Sequence, residues 1–256
     1  MSDRPVARIV VALGWLRRMD PVLESGGSEP HLFATTGGNF LVKASNNPQG
    51  LRVLVNELVG GLCLDWIGVN HPSTGIVTIT AAVIAASNGG AQFNAGGGLA
   101  EGESFGSEFW QSDPGGSVSA DLIINRNNVA GVLAFDTWIG AQDGRQYRVR
   151  ASADDAGRYD FIPVDQGHSL GAPGWDPPTL ASRHGSVTLG PQPVVPVGRE
   201  DLAEFVARLR EFDSEAAQHI VEQIPPAWCP DADKAALTQY LVARAPTAAQ
   251  ILESRP

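Results

Sequence analysis

Cysteine and long hydrophobic runs are both scarce in this chain of 256 residues. Cys63 and Cys229 are the two cysteines, and they lie far apart in the sequence. They provide no disulfide framework and no Cys-x-x-Cys metal or redox motif. This usage fits a reducing compartment, so we expect a cytoplasmic protein. The longest N-terminal apolar run, residues 9–16, is too short to span a bilayer and is interpreted as a buried strand.

Basic residues are also few. Lys and Arg number 18 against 28 Asp and Glu, which gives a formal charge of -10. This balance argues against nucleic acid or an anionic membrane surface as a direct partner. Hydrophobic residues make up 43% and charged residues 18%, which excludes a disordered chain. The two lysines are Lys43 and Lys234; either a compact ammonium is needed there, or they occur by chance.

Familiar metal and nucleotide motifs are missing. The five histidines form no His-Glu-x-x-His pattern, so no zinc site is expected, and there is neither a Walker A motif nor a Gly-x-Gly-x-x-Gly fingerprint. One glycine-containing turn remains of interest, and its residues are Ser25, Gly26, Gly27 and Ser28. Its backbone N–H groups could cradle a phosphate, and an ordinary surface turn is the alternative.

The sequence divides into three regions that differ in composition and in predicted secondary structure. Residues 1–85 mix strand and helix patterns, with a hairpin predicted at residues 31–44 around Gly37-Gly38 and a helix from Leu51. Gly60-Gly61 inside that helix costs about 1 kcal/mol each relative to alanine, so close packing is expected there. Residues 86–120 are rich in Gly, Ser and Asn, and the stretch 87–116 is interpreted as a loop, either a mobile flap or a crossing between lobes.

The third region, residues 121–256, begins with a helix, passes through a hairpin at residues 149–164 and ends in helices. Asp231 and Thr247 are each predicted to begin a helix.

Lys43 and Glu57 form the first candidate constellation. Lys43 ends an apolar strand, and Glu57 lies in the helix that follows. In kinases, a strand lysine held by a helix glutamate neutralises the α- and β-phosphates of ATP. A solvated lysine and a surface glutamate are the alternative.

Asp143 and Asp165 form the second constellation. Asp143 follows a helix, and Asp165 ends the hairpin two residues before Gly167. Phosphoryl transfer uses one carboxylate to orient and deprotonate the attacking hydroxyl and another to hold Mg²⁺. Two ordinary turn aspartates are the alternative.

A rival motif is Gly167-His168-Ser169-Leu170-Gly171, which matches the Gly-x-Ser-x-Gly nucleophile elbow of serine hydrolases. An elbow needs a helix directly after it, whereas the sequence continues Ala-Pro-Gly-Trp-Asp-Pro-Pro, which disfavours one. Beyond Ser169, His184 and His219 are the histidines available as a base. The hydrolase hypothesis therefore ranks third.

Several stretches together resemble one family. The most specific are residues 40–50, Phe-Leu-Val-Lys-Ala-Ser-Asn-Asn-Pro-Gln-Gly, and residues 53–59, Val-Leu-Val-Asn-Glu-Leu-Val. Residues 105–107, 134–140, 164–168 and 224–228 add support. In these stretches the chain resembles the shorter bacterial branch of the HipA-like kinases, over roughly residues 5 to 250.

The resemblance implies a single bilobal, protein-kinase-like α+β domain, with a small mixed N-lobe at about 1–85 and a mostly helical C-lobe at about 121–256. ATP would lie between the lobes, and Mg²⁺ would be its metal. By position, Lys43 is the expected phosphate lysine, Glu57 its partner, Asp143 the catalytic base and Asp165 the Mg²⁺ ligand. The expected partners are ATP and an unidentified protein that carries a serine or threonine acceptor.

The catalytic loop departs from the family pattern Asn-x-Asp-x-His-x-x-Asn. The corresponding residues are Ala141, Asp143, Arg145 and Arg148, so only the aspartate is kept. Arginine has no acceptor atom and cannot ligate Mg²⁺. Arg145 or Arg148 could instead contact the γ-phosphate. An active kinase and a pseudokinase that acts as an interaction module both remain open.

Overall fold

The computed structural model describes residues 4–19, 27–94, 96–111, 118–141, 146–153, 155–171, 174–191, 193 and 195–255. None of the helices in these ranges combines the length and the apolar character needed to cross a membrane.

Five strands form a closed barrel in the order β1-β2-β3-β5-β4. Their bounds are β1 Arg8–Arg18, β2 His31–Thr35, β3 Gly38–Lys43, β4 Thr74–Ile79 and β5 Gly102–Glu108. β1 pairs in parallel with β4, and the other neighbours are antiparallel. Phe33, Phe40 and Val77 are fully buried within this barrel. The barrel matters for the site because it fixes Lys43 at the end of β3.

The predicted β2–β3 hairpin is confirmed. Phe33 lies opposite Phe40, and Thr35 lies opposite Gly38. Gly38 has a φ of 111°, a conformation that glycine adopts far more readily than residues with a side chain. The turn chemistry of two adjacent glycines therefore fixes the register that leads to Lys43.

The interpretation of residues 87–116 as a loop is wrong at Gly102–Glu108, which form β5. This strand pairs with β3 on one side and with β4 on the other, and so closes the barrel. A side chain at Gly106 would collide with Val77 and would lie 3.0 Å from Phe40. Glycine is needed there for close packing, although its frequency in the segment suggests a loop.

The apolar run at residues 9–16 is a strand, as predicted, but it is not buried on both faces. Val10 and Ala12 point into the barrel, whereas Ile9 and Leu13 are 70% and 64% exposed. The outward face of β1 is therefore apolar and open.

The remaining elements follow the barrel strands or lie between them. The helices are α1 Leu51–Ile67, α2 Ala81–Ala86, α3 Arg126–Ile139, α4 Pro177–Ser182, α5 Arg199–Glu211, α6 Ser214–Glu222 and α7 Asp231–Glu253. A hairpin of β6 Tyr147–Ala151 and β7 Tyr159–Pro163 follows α3, close to where it was predicted. The prediction that Thr247 begins a new helix is wrong, because α7 continues through Pro246.

Helix α1 lies at the centre of the larger hydrophobic core. Leu54, Leu58 and Leu62 are fully buried there, in the same core as Phe135 and Trp138 of α3. The expected close packing at Gly60-Gly61 is confirmed. A Cβ at Gly60 would lie 2.7 Å from the Cβ of Gln166, and one at Gly61 would collide with Thr74. The two glycines allow α1 to approach β4 and the segment after β7.

Replacing Gly61 with alanine should lower the free energy of unfolding by about 2 kcal/mol. Overpacking against Thr74 outweighs the gain of about 1 kcal/mol in helix propensity. Urea unfolding followed by tryptophan fluorescence measures this difference. Gly14→Ala is the matched control, since a Cβ there meets no atom of the described residues within 4 Å, and it should leave stability within about 0.5 kcal/mol. A Gly61→Ala protein as stable as wild type would contradict the packing argument.

Candidate functional site

A cleft lies between the barrel and the β6–β7 hairpin. The barrel contributes Leu41, Lys43 and Phe105 to its lining, and the hairpin contributes Arg148 and Ile162. Its lining also includes Glu57 from α1 and Asp165 from the segment after β7. The cleft thus collects charged side chains from both parts of the fold against apolar walls.

Three of the residues predicted from the sequence meet at one side of this cleft. The Lys43 ammonium donates a hydrogen bond to Oε1 of Glu57 and another, at 3.0 Å, to Oδ1 of Asp165. Lys43 is 6% exposed and Glu57 is 3% exposed. The structure therefore brings together residues that are as far apart as 122 positions in the sequence.

Glu57 holds the ammonium and the backbone of the Asp165 segment at the same time. While Oε1 accepts from Lys43, Oε2 accepts from the backbone N–H of Gln166 at 2.8 Å. Asp165 has a φ of 58°, a left-handed conformation that non-glycine residues seldom adopt. Such backbone persists where the surroundings fix it, and Glu57 supplies part of that restraint.

The three charges perturb one another's protonation. Burial alone would lower the pKa of Lys43, but the Glu57 and Asp165 carboxylates raise it above its usual range. Burial, together with the Asp165 charge, raises the pKa of Glu57 to about 7 against the opposing effect of Lys43. Burial would also raise the pKa of Asp165, yet the Lys43 ammonium holds it well below its usual range. One ammonium is shared by two carboxylates, so the trio carries excess negative charge when both are ionised.

Asn56 braces the segment that follows Asp165, a role that the sequence analysis missed. Its fully buried amide donates to the carbonyl oxygens of Gly167 at 2.7 Å and Ser169 at 3.1 Å, and its Oδ1 accepts from the Trp175 indole at 2.7 Å. Its position directly before Glu57 in α1 could have indicated this role, because consecutive polar residues in an otherwise apolar helix need buried partners.

The other predicted site residues either lie outside the described residues or are not part of the described lining of the cleft. Ser25, Gly26 and Asp143 lie outside the described residues, and so does Arg145. Gly27 packs beside the Gln49 side chain, and neither Gly27 nor Ser28 is among the described residues that line the cleft. The proposal that residues 25–28 cradle phosphate therefore remains a prediction.

The donor set fits a Mg²⁺ ion that is bound partly by phosphates. The described residues include no cluster of three His, Cys, Asp or Glu side chains able to hold a metal alone. Asp165 nevertheless lines the cleft with a side chain that is 20% exposed. Magnesium in phosphoryl-transfer sites is held by one or two carboxylates together with substrate phosphates. Asp165 is the residue that fits this role.

The structure does not form a nucleophile elbow at Ser169. This serine is 2% exposed and is not among the described residues that line the cleft. The next helix, α4, begins only at Pro177. His219, one of the two histidines available as a base, contacts the carbonyl oxygen of Pro5 at 3.0 Å. A nucleophile has to be reachable by substrate, and Ser169 is enclosed.

No family model and no curated protein matches this chain at a significant level. Among solved structures, the chain is similar to the proinflammatory kinase CtkA of Helicobacter pylori. The chain has a kinase-like α+β fold. The TM-score is 0.59, the similarity covers 90% of this chain and 92% of that one, and sequence identity is 12%. At this identity the similarity shows the fold alone.

Proposed function

We propose that this protein binds ATP with Mg²⁺ in the cleft between the barrel and the β6–β7 hairpin. The observation that carries the proposal is the Lys43 ammonium between Glu57 and Asp165 within a kinase-like fold. Lys43 would neutralise phosphate charge, Glu57 would hold its position, and Asp165 would bind the metal. The apolar walls at Leu41, Phe105 and Ile162 suit a flat aromatic base.

We further propose that the protein transfers the γ-phosphoryl group to a serine or threonine of another cytoplasmic protein. Asp143, predicted from the resemblance to the HipA-like kinases, would accept the proton of the attacking hydroxyl. Mg²⁺, when bound, would supply positive charge to the transferred phosphoryl group. Positioning of the two reactants then provides most of the rate enhancement.

A regulatory protein that binds nucleotide without transferring phosphate is the second candidate. It is favoured by Arg148, which lines the cleft where the HipA-like pattern places an asparagine. The arginine has no acceptor atom for a second metal ion.

Incubation with labelled ATP, alone and with a bacterial lysate, separates the two candidates. A kinase should label itself or an acceptor, and Asp143→Asn should reduce that labelling by about 10²-fold or more because the general base is lost. Asp213→Asn, at the start of α6 and outside the lining of the cleft, is the control and should label like wild type. Nucleotide binding without any labelling would favour the regulatory protein.

A further inference from the structure

The charges of the described cleft residues are paired except at one position. Glu108 contacts Arg8 at 3.4 Å, and Arg150 contacts Asp160 at 3.4 Å. The Lys43 ammonium is shared between two carboxylates. Arg148 is the remaining charged residue in the described lining of the cleft.

The β6–β7 hairpin fixes the backbone of Arg148 at the cleft. Arg148 lies in β6 opposite Ile162 of β7, and both residues line the cleft. Tyr147 of β6 stacks on Phe161, which lies diagonally across from it in β7, with ring centroids 4.8 Å apart. Among the described residues, none forms an ion pair or hydrogen bond with the Arg148 guanidinium. Strand β6 thus places an exposed cation at the wall of the cavity, and no described residue compensates its charge.

The net charge of the Lys43, Glu57 and Asp165 side chains indicates a role for the Arg148 cation in phosphate binding. A triphosphate that approaches Lys43 also approaches Glu57 and Asp165, so the trio offers it no net positive charge when both carboxylates are ionised. A guanidinium in the same cleft corrects this deficit, and its planar donors match phosphate oxygens with two parallel hydrogen bonds. Arginine side chains supply charge of this kind to terminal phosphates in phosphoryl-transfer sites.

We infer that Arg148 binds the terminal phosphates of the nucleotide and supplies part of the positive charge that a metal ion would otherwise provide. This inference rests on the proposed function. It predicts two properties of nucleotide binding. Affinity for ATP should depend on Arg148 more than affinity for AMP does, and ATP should bind measurably without Mg²⁺.

Both predictions can be tested by calorimetric titration of wild type and Arg148→Met with ATP, ADP and AMP, in EDTA and in Mg²⁺. In EDTA, Arg148→Met should bind ATP about tenfold or more weakly, because a charge-assisted contact is lost, while AMP affinity changes by less than about threefold. Arg148→Lys should fall between the two, since it keeps the charge and loses the paired donors. Arg148→Gln serves in place of Arg148→Met if that variant fails to fold.

Arg158→Met is the matched control, because it removes a cation from the same hairpin region at a position outside the described lining of the cleft. It should bind all three nucleotides like wild type. Equal losses for ATP and AMP, unchanged ATP affinity in Arg148→Met, or a complete requirement of wild type for Mg²⁺ would each overturn the inference. If wild type binds ATP with Mg²⁺ normally, these outcomes leave the proposed function intact; if wild type binds no nucleotide, both fail.

Discussion

Replacing Lys43 with methionine should abolish ATP binding and should also destabilise the protein. The ammonium is the charge that offsets Glu57 and Asp165 in a nearly buried site. Without it, the two carboxylates repel each other and the phosphates. We expect no binding at millimolar ATP by calorimetry. Breaking a buried ion pair costs about 3 kcal/mol, so urea unfolding should show a loss of that order.

The second lysine of the chain provides the control for this experiment. Lys234 donates to the backbone carbonyl of Ile224 at 2.6 Å and does not line the described cleft. Lys234→Met should therefore bind ATP as wild type does. Circular dichroism at the titration temperature distinguishes a folded Lys43→Met protein that cannot bind from an unfolded one. A folded Lys43→Met protein with wild-type affinity would exclude Lys43 from the nucleotide site.

Replacing Asp165 with asparagine should weaken ATP binding in Mg²⁺ but not in EDTA. Asparagine tolerates the left-handed backbone at this position and keeps an oxygen that can accept from Lys43, so the fold should persist. With Mg²⁺, ATP affinity should fall about tenfold or more because the metal loses its carboxylate ligand. In EDTA it should stay the same or rise, because a negative charge near the phosphates is gone. Calorimetry in both buffers measures the pair of values.

Asp155→Asn is the control, because Asp155 is an exposed residue between β6 and β7 with 58% of its side chain accessible. It should change neither affinity. Equal weakening of ATP binding by Asp165→Asn in both buffers would indicate a structural role for Asp165. A wild-type response to Mg²⁺ in Asp165→Asn would assign the metal to another residue.

Local patterns predicted the parts of the fold that carry the cleft. Two adjacent glycines between apolar runs indicated the hairpin that ends at Lys43, and helical spacing indicated α1 with Glu57. Neither pattern shows that Asp165 lies beside Lys43, because proximity across 122 positions is a property of the tertiary fold. That expectation came from the resemblance to the HipA-like kinases.

Where the sequence departs from ordinary propensity, strand β5 was missed and helix α7 was predicted as two helices. β5 contains Gly102 and Gly106, and glycine weakens a strand, yet the barrel requires it because side chains from β3 and β4 fill the space at Gly106. α7 passes through Pro246, where Ala245, Ala248 and Ala249 are fully buried on either side of it. In both places tertiary packing outweighs the local preference.

Buried polar contacts were equally hidden from the sequence. Asn56 precedes Glu57 and looks like one more polar helix residue, but its amide holds the segment after Asp165 through two backbone carbonyls. The sequence also does not show that one face of β1 is exposed to solvent, because an apolar run does not indicate which of its faces is covered.

A crystal structure with a non-hydrolysable ATP analogue and Mg²⁺ tests the central claim most directly. We predict triphosphate density in the cleft, with phosphate oxygens within hydrogen-bonding distance of the Lys43 ammonium and the metal bound to Asp165. Analogue bound elsewhere, or a cleft in which Lys43 keeps both carboxylates and meets no phosphate, would contradict the claim.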